Sequence, residues 1–464
     1  MNGRLPSGDA MLDAVFEGGL LANAINLVTG VPGTGKTILA HQYVFENATV
    51  ERPALYFSTT SEPLEKIIRY GQALQFFDTT AIGRSVLYED ASHDLNSLGL
   101  DGLGNRIDLV MKQRQPGLLV IDSFRALRTY AESDGAFRRF LHDLAGRTSA
   151  FPVTSFWVGE YGFDELATAP EFAVADAIVH LSIDHVAERE MRMFQVLKLR
   201  GSPYLTGKHA FRISNDGIGV FPRLADPGTP SEGGAGDDKV SSGIAALDDM
   251  LDDGLWPGSS TLVAGPSGAG KTILGLHFVF LGAQQGAPGV VATLQENPRQ
   301  LRRMVRGFGW QADAENVELM YRSPVDIYID QWVYEVLAAA ERLGAQRVLI
   351  DSLDDLRSVA PDPVRFREYL YSLLQRFARI GVSIVMTLEV SDLFNVQHIS
   401  EPGISHLSDN VILLQYLRGE SQVKRALTVL KTRASLHEPQ IRQYTITSRG
   451  IELGPAFETG QDLR

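Results

Sequence analysis

Short apolar runs alternate with longer amphipathic stretches along this chain, and the whole alternation is written twice. In the first half the runs 25–30 (INLVTG), 54–58 (ALYFS), 118–123 (LLVIDS) and 153–158 (VTSFWV) have the length of buried strands. The second half repeats them at 260–265 (STLVAG), 289–294 (GVVATL), 347–352 (RVLIDS) and 383–388 (SIVMTL). Apolar residues predominate in these runs without a strict polar–apolar alternation, as in strands covered on both faces. Between them lie stretches with helical spacing, clearest in 36–48 (KTILAHQYVFENA) and 271–283 (KTILGLHFVFLGA). Strands alternating with helices predict an α/β fold of two tandem domains, each a mostly parallel sheet flanked by helices.

The repeat can be laid out without gaps over its first part. Setting RLPSGDAMLDAVFEGGL from Arg4 over KVSSGIAALDDMLDDGL from Lys239 pairs Ser7 with Ser242, Gly8 with Gly243 and Leu12 with Leu247. An offset of 235 residues still holds at Gly30 and Gly265, and LKLRG at 197–201 answers LKTRA at 430–434. Between the copies, Pro, Gly and acidic residues predominate, a composition that builds no core. The expected organisation is therefore a domain at 1–222, a linker at 223–238 and a second domain at 239–464.

Composition narrows the chemistry. The 464 residues include no cysteine, which removes disulfides, zinc–thiolate sites, iron–sulfur clusters and thiol nucleophiles. The net charge of -13 offers no overall field for polyanions, so nucleic acid is a poor default partner. No uncharged apolar run approaches the ~18 residues that span a bilayer. No membrane partner and a cytoplasmic location are expected. The ten histidines form no H-E-x-x-H pattern, and no transition-metal site is inferred.

The candidate chemistry sits where the two copies agree best. Gly30-Val31-Pro32-Gly33-Thr34-Gly35-Lys36-Thr37 and Gly265-Pro266-Ser267-Gly268-Ala269-Gly270-Lys271-Thr272 both fit G-x-x-x-x-G-K-[ST]. Glycines let several backbone N–H groups face one phosphate chain, the lysine adds charge, and Thr37 or Thr272 offers a hydroxyl to Mg2+. Ile38 and Ile273 continue each loop into a helix whose positive end faces the anion. Asp122 and Asp351, each ending an apolar run with the sequence Asp-Ser, are the matching acids for the metal and its water.

With these residues in place the chain resembles the KaiC-like branch of the RecA-type ATPases, including its double-domain circadian clock members. The resemblance covers nearly all of both halves and also rests on KLRGSPYLTG from Lys198 and SDNVILLQYLRGE from Ser408. It implies ATP as the nucleotide, Mg2+ as its metal, and a homo-oligomer in the form of a hexameric ring regulated by partner proteins. It implies that Lys198 with Arg200, and Lys431 with Arg433, reach from one subunit to the terminal phosphate held by the next. The family carries two consecutive glutamates before a short residue and a proline. Here TTSEP puts Thr60 and Ser61 in that place, with Glu62 displaced toward Pro63, whereas LQENP keeps one acid, Glu296, beside Gln295. Glu296 is the candidate general base, and slow turnover is expected of the first site. Glu160 and Glu389, each just past a late strand, are candidate supporting acids. The resemblance further implies serine autophosphorylation at Ser405, with His406 where a second acceptor would stand, Ser400 and Ser408 nearby, and Trp310 near the second nucleotide. A DNA-handling ATPase is the rival reading, but the segments 159–176 and 389–409, where its basic loops would lie, are acidic or neutral. A scaffold gated by nucleotide, with vestigial hydrolysis, is the third.

Overall fold

The run that feeds the first phosphate loop becomes an interior strand of a nine-stranded sheet. A computed structural model describes residues 3–59, 63–165, 168–186, 189–224, 238–325, 327–360, 362–390, 404–418, 422–433 and 435–457. The chain divides into two units, Met1–Arg223 and Leu224–Arg464, each with its own sheet. Most of the expected linker lies outside the described residues. Leu224, assigned to it by composition, is instead buried with Leu262, Trp332 and other core residues of the second unit, because a leucine gains from leaving water.

In the first unit the strands are β1 (Ile25–Gly30), β2 (Ala54–Ser58), β3 (Val86–Asp90), β4 (Leu118–Asp122), β5 (Thr154–Glu160), β6 (Ala177–Val186), β7 (Arg189–Leu199), β8 (Lys208–Ser214) and β9 (Gly217–Phe221). Their spatial order is β9-β8-β7-β6-β1-β5-β4-β2-β3. The strands from β6 to β3 run parallel, and β7, β8 and β9 continue the sheet antiparallel. The second unit follows the same order with β10 (Ser260–Gly265), β11 (Gly289–Thr293), β12 (Val317–Tyr321), β13 (Arg347–Asp351), β14 (Ser383–Glu389), β15 (Asn410–Arg418), β16 (Val423–Lys431), β17 (Arg442–Thr447) and β18 (Gly450–Ala456). All six residues of β1 and all six of β10 are buried, as strands covered on both faces require.

Helices α1 (Lys36–Asn47) and α2 (Lys271–Gln284) leave the loops at the ends of β1 and β10. Each starts at a glycine, Gly35 or Gly270, held at φ +101°, a conformation that side chains with a Cβ resist. Apolar residues then cover both faces of each sheet. Tyr43 and Val44 of α1 pack on one face of the first, and Trp157 stacks on Phe124 on the other with ring centroids 4.2 Å apart.

The last hairpin of each unit folds back onto the loop-borne helix, and the two units fasten it differently. In the first, the Ile218 N–H donates to Gln42 Oε1 at 2.8 Å, while Gln42 Nε2 donates to the Ile218 carbonyl at 3.2 Å. In the second, the Ile451 N–H donates to His277 Nε2 at 2.8 Å. That nitrogen must stay unprotonated, and burial pushes His277 from its ordinary 6.5 down to about 4. The unfolded chain takes up a proton near pH 6.5 that the folded chain refuses until about 4, so folded stability falls as pH drops through that window. At about 1.4 kcal/mol per pH unit the full effect is about 3 kcal/mol. We predict that His277→Gln, which copies the first unit's fastening, retains more stability at pH 5 relative to pH 7 than the unsubstituted chain in denaturant unfolding. An equal loss in both proteins would refute this assignment.

Candidate nucleotide-binding sites

Both loops lie at the carboxyl ends of parallel strands, where an α/β sheet opens a crevice. Gly33, Gly35, Lys36, Thr37 and Ile38 line a cavity of about 620 Å³ in the first unit, together with Asp122 and Glu160. Gly268, Gly270, Lys271, Thr272, Ile273, Gln295, Glu296, Asp351 and Glu389 line one of about 240 Å³ in the second. Gly30, Thr34, Gly265 and Ala269 shape the loops from behind. The Thr34 hydroxyl donates to the Val31 carbonyl at 2.9 Å, and the Ala269 carbonyl accepts from the Tyr444 hydroxyl.

The two lysines are drawn back onto their own loops. Lys36 Nζ donates to the Val31 carbonyl at 2.9 Å, and Lys271 Nζ to the Pro266 carbonyl at 3.0 Å. Burial holds both below the ordinary lysine value, opposed in the first unit by Glu160 and Asp122 and in the second by Glu389, Asp351 and Asp354. A phosphate chain arriving between loop and lysine supplies the anionic partner that favours the charged amine.

Each loop threonine already meets the strand-end acid expected of it. Thr37 Oγ1 donates to Asp122 Oδ2 at 2.8 Å, and Thr272 Oγ1 donates to Asp351 Oδ2 at 2.8 Å. The peptide after each acid is cis in both units. Hydroxyl and carboxylate oxygens side by side, with the hydroxyl lone pairs left over, fit a hard cation such as Mg2+. A second hydroxyl on each acid was not foreseen. Tyr56 Oη donates to Asp122 Oδ2 at 2.7 Å from β2, whereas the Thr387 hydroxyl donates to Asp351 Oδ1 from β14. Burial raises Asp351 above the usual carboxylate range, against the pull of Thr387 and Thr272.

Glu296 stands at the open end of β11. Its Oε2 is buried and has no hydrogen-bond partner among the described residues. Burial, followed by repulsion from Asp351, raises its pKa, which suits a base waiting for a proton. The first unit's counterpart segment, Thr60 to Glu62, lies outside the described residues. Trp310 is placed in the core, against His277 at 4.6 Å and Phe308 at 5.1 Å, and does not line the described cavity. An indole that can fill a hydrophobic gap between helix and strand gains more there than at an open rim.

The paired cations occupy the opposite end of each sheet from their own loop. Gly30 pairs with Leu181 on β6, but Lys198 of β7 pairs with Ile178, toward the start of β6. Lys198 Nζ donates to the Phe172 carbonyl at 3.0 Å, and Arg200 faces Asp176 at 3.3 Å. The second unit repeats this: Lys431 Nζ donates to the Ser408 carbonyl at 2.7 Å, Arg433 to the His406 carbonyl at 2.8 Å, and Arg433 faces Asp409 at 3.5 Å. Burial, then the neighbouring arginine, lowers both lysines. Ser405 belongs to the short helix Ile404–Leu407, though its side chain lies outside the described residues, as does Ser400. Ser408 is fully buried.

Sequence reasoning missed part of the first cavity's wall: His41, Ile67, Tyr70, Leu74 and Ile213. His41 was open to detection, since it follows Thr37 by four positions and so shares its helix face. The others arrive from distant segments and carry no local signal.

Two phosphate loops on tandem RecA-like sheets, each with its threonine–aspartate pair, define a duplicated P-loop ATPase. The sequence model described as "ATPase: KaiC" matches residues 5–225 and again 240–458, and the chain belongs to that family. Among curated relatives, the circadian clock oscillator protein KaiC of Rippkaea orientalis is 29% identical over 466 residues, covering 96% of this chain and 87% of its own. That of Thermostichus vulcanus is 29% identical, covering 99% and 90%, and the KaiC 1 protein of Synechocystis is 28% identical, covering 96% and 88%. Among the described residues no helix is long and apolar enough to cross a membrane.

If both loops hold nucleotide, equilibrium dialysis finds one ATP analogue per loop, and Lys36→Ala and Lys271→Ala each remove one binding event. Unchanged stoichiometry in either variant would contradict the assignment.

Proposed function

We propose that this chain is a cytoplasmic, Mg2+-dependent ATPase that works as a homo-oligomeric ring, hexameric by analogy with its family, in signalling or circadian-type timing with regulatory protein partners. The observation that carries the reading is the position of the cation pairs. Lys198 with Arg200 and Lys431 with Arg433 sit at the end of each sheet remote from its own loop, a placement suited to a neighbouring subunit's phosphate. A cation supplied that way offsets charge on the transferred phosphoryl group only in the assembled state. Mg2+, held by Thr37 with Asp122 and by Thr272 with Asp351, would offset charge on the phosphate oxygens.

In the second site, Glu296 takes the proton of a water whose oxygen attacks the terminal phosphorus as the bond to ADP breaks. Its buried, unpartnered oxygen and raised pKa support that role. We further propose that Ser405 competes with water. Arg433 binds the carbonyl of His406, the residue after Ser405 in the chain, which supports pairing this serine with the cation pair. Phosphoserine and ADP are then the products.

Glu296→Gln is expected to slow ATP turnover of the full chain by about 100-fold; unchanged turnover would remove Glu296 as the base. Incubation with gamma-labelled ATP and Mg2+ followed by mass spectrometry should place label on Ser405, and free phosphate alone would leave a plain ATPase. Light scattering with ATP and Mg2+ should give a ring-sized particle, and a single protomer would overturn the proposal.

A further inference from the structure

The strand-end acids of the two sites are held from opposite sides, and the difference comes from two residues of the first unit. Tyr56 on β2 gives its hydroxyl hydrogen to Asp122 Oδ2, the same oxygen that accepts from Thr37. At the matching position of β11 stands Val291, which has no hydrogen to give. On the other flank, Val158 of β5 is the register partner of Asp122, where the second unit has the hydroxyl of Thr387. Among the described residues, the outer hydroxyl on each acid is thus taken from a different strand.

Tyr56 is itself fixed. The His41 ring lies flat on it, with centroids 4.6 Å apart and planes within 3°, and both residues are buried. His41 also lines the first cavity, two turns of sequence away from the loop glycines. At its position α2 carries Leu276, so the stack is particular to the first unit. The arrangement runs unbroken from cavity wall to His41, to Tyr56, to Asp122, to Thr37.

We propose that Tyr56 is a positioning residue of the first site, orienting the Asp122 carboxylate and so setting how strongly that site holds Mg2+ with its nucleotide. His41 acts one step further out, by fixing the Tyr56 ring. The inference rests on the ATPase reading above but concerns a residue outside the phosphate loop, and it adds a structural difference between the sites to the sequence difference at Thr60 and Ser61. Partners of a metal-binding carboxylate fix its orientation, and their loss typically costs about 10-fold or more in metal affinity.

The test uses the full chain with the second loop disabled by Lys271→Ala, and measures the Kd for ADP with Mg2+ and with EDTA. Tyr56→Phe should raise the Mg2+ concentration needed for half-maximal enhancement of ADP binding about 10-fold, while leaving the Kd in EDTA unchanged. Adding Val158→Thr, which transplants the second unit's hydroxyl, should restore most of the loss. A Tyr56→Phe chain whose Mg2+ dependence is unchanged or tighter overturns the proposal, as does equal weakening with and without Mg2+, which marks a merely structural tyrosine. Absence of any Mg2+ effect in the chain that retains Tyr56 would instead overturn the ATPase reading, and this proposal with it.

Discussion

A single close passage organises each half of the molecule. Where β1 ends, Gly30 runs so near β6 that a Cβ on it would lie 2.2 Å from the Leu181 carbonyl oxygen; at Gly265 the corresponding approach to Leu414 is 2.6 Å. Only a bare backbone fits there. Because the strand stays hydrogen-bonded on both sides up to that glycine, the loop that follows starts from a fixed point, and its amides, lysine and threonine inherit that fixity. The acids at the ends of β4 and β13 belong to the same sheet, so the distance from threonine to acid is set by strand spacing rather than by flexible side chains.

This explains which parts could be read from the residue string. Phosphate loops and strand-end acids are local patterns, each contained in a few consecutive positions; the duplication repeats such patterns at a near-constant offset, and a mostly parallel sheet follows from alternating strands and helices. Tyr56 and Thr387 escaped because each reads as one more residue of a buried strand; only register across the sheet reveals that its hydroxyl reaches an acid. Trp310 is the reverse case. The family resemblance put it beside the second nucleotide, whereas its ring packs against His277 and Phe308. Leu224 was misjudged for a similar reason: the prolines and glycines around it describe a linker on average, but one apolar residue obeys its own solvation.

The two halves have diverged most where chemistry is decided and least where geometry is. Gly35 and Gly270 share the same φ, and the threonine–aspartate distance repeats at 2.8 Å. What changes is the outer layer: the hydroxyl on the acid, the residues preceding the proline, and the size of the cavity. A duplicated fold can vary the hydroxyl on the acid without disturbing the sheet, since a side chain contributes no backbone hydrogen bond to the ladder.

The fastening of the final hairpin has a mechanical consequence. Gln42 and His277 clamp the outermost strands onto the helices that begin at the phosphate loops, and a Cβ on Gly35 would strike Ile213 of β8 at 2.7 Å. Helix, loop and sheet margin therefore behave as one stiff wedge, in which any tilt imposed at the anion end is carried bodily to the far rim.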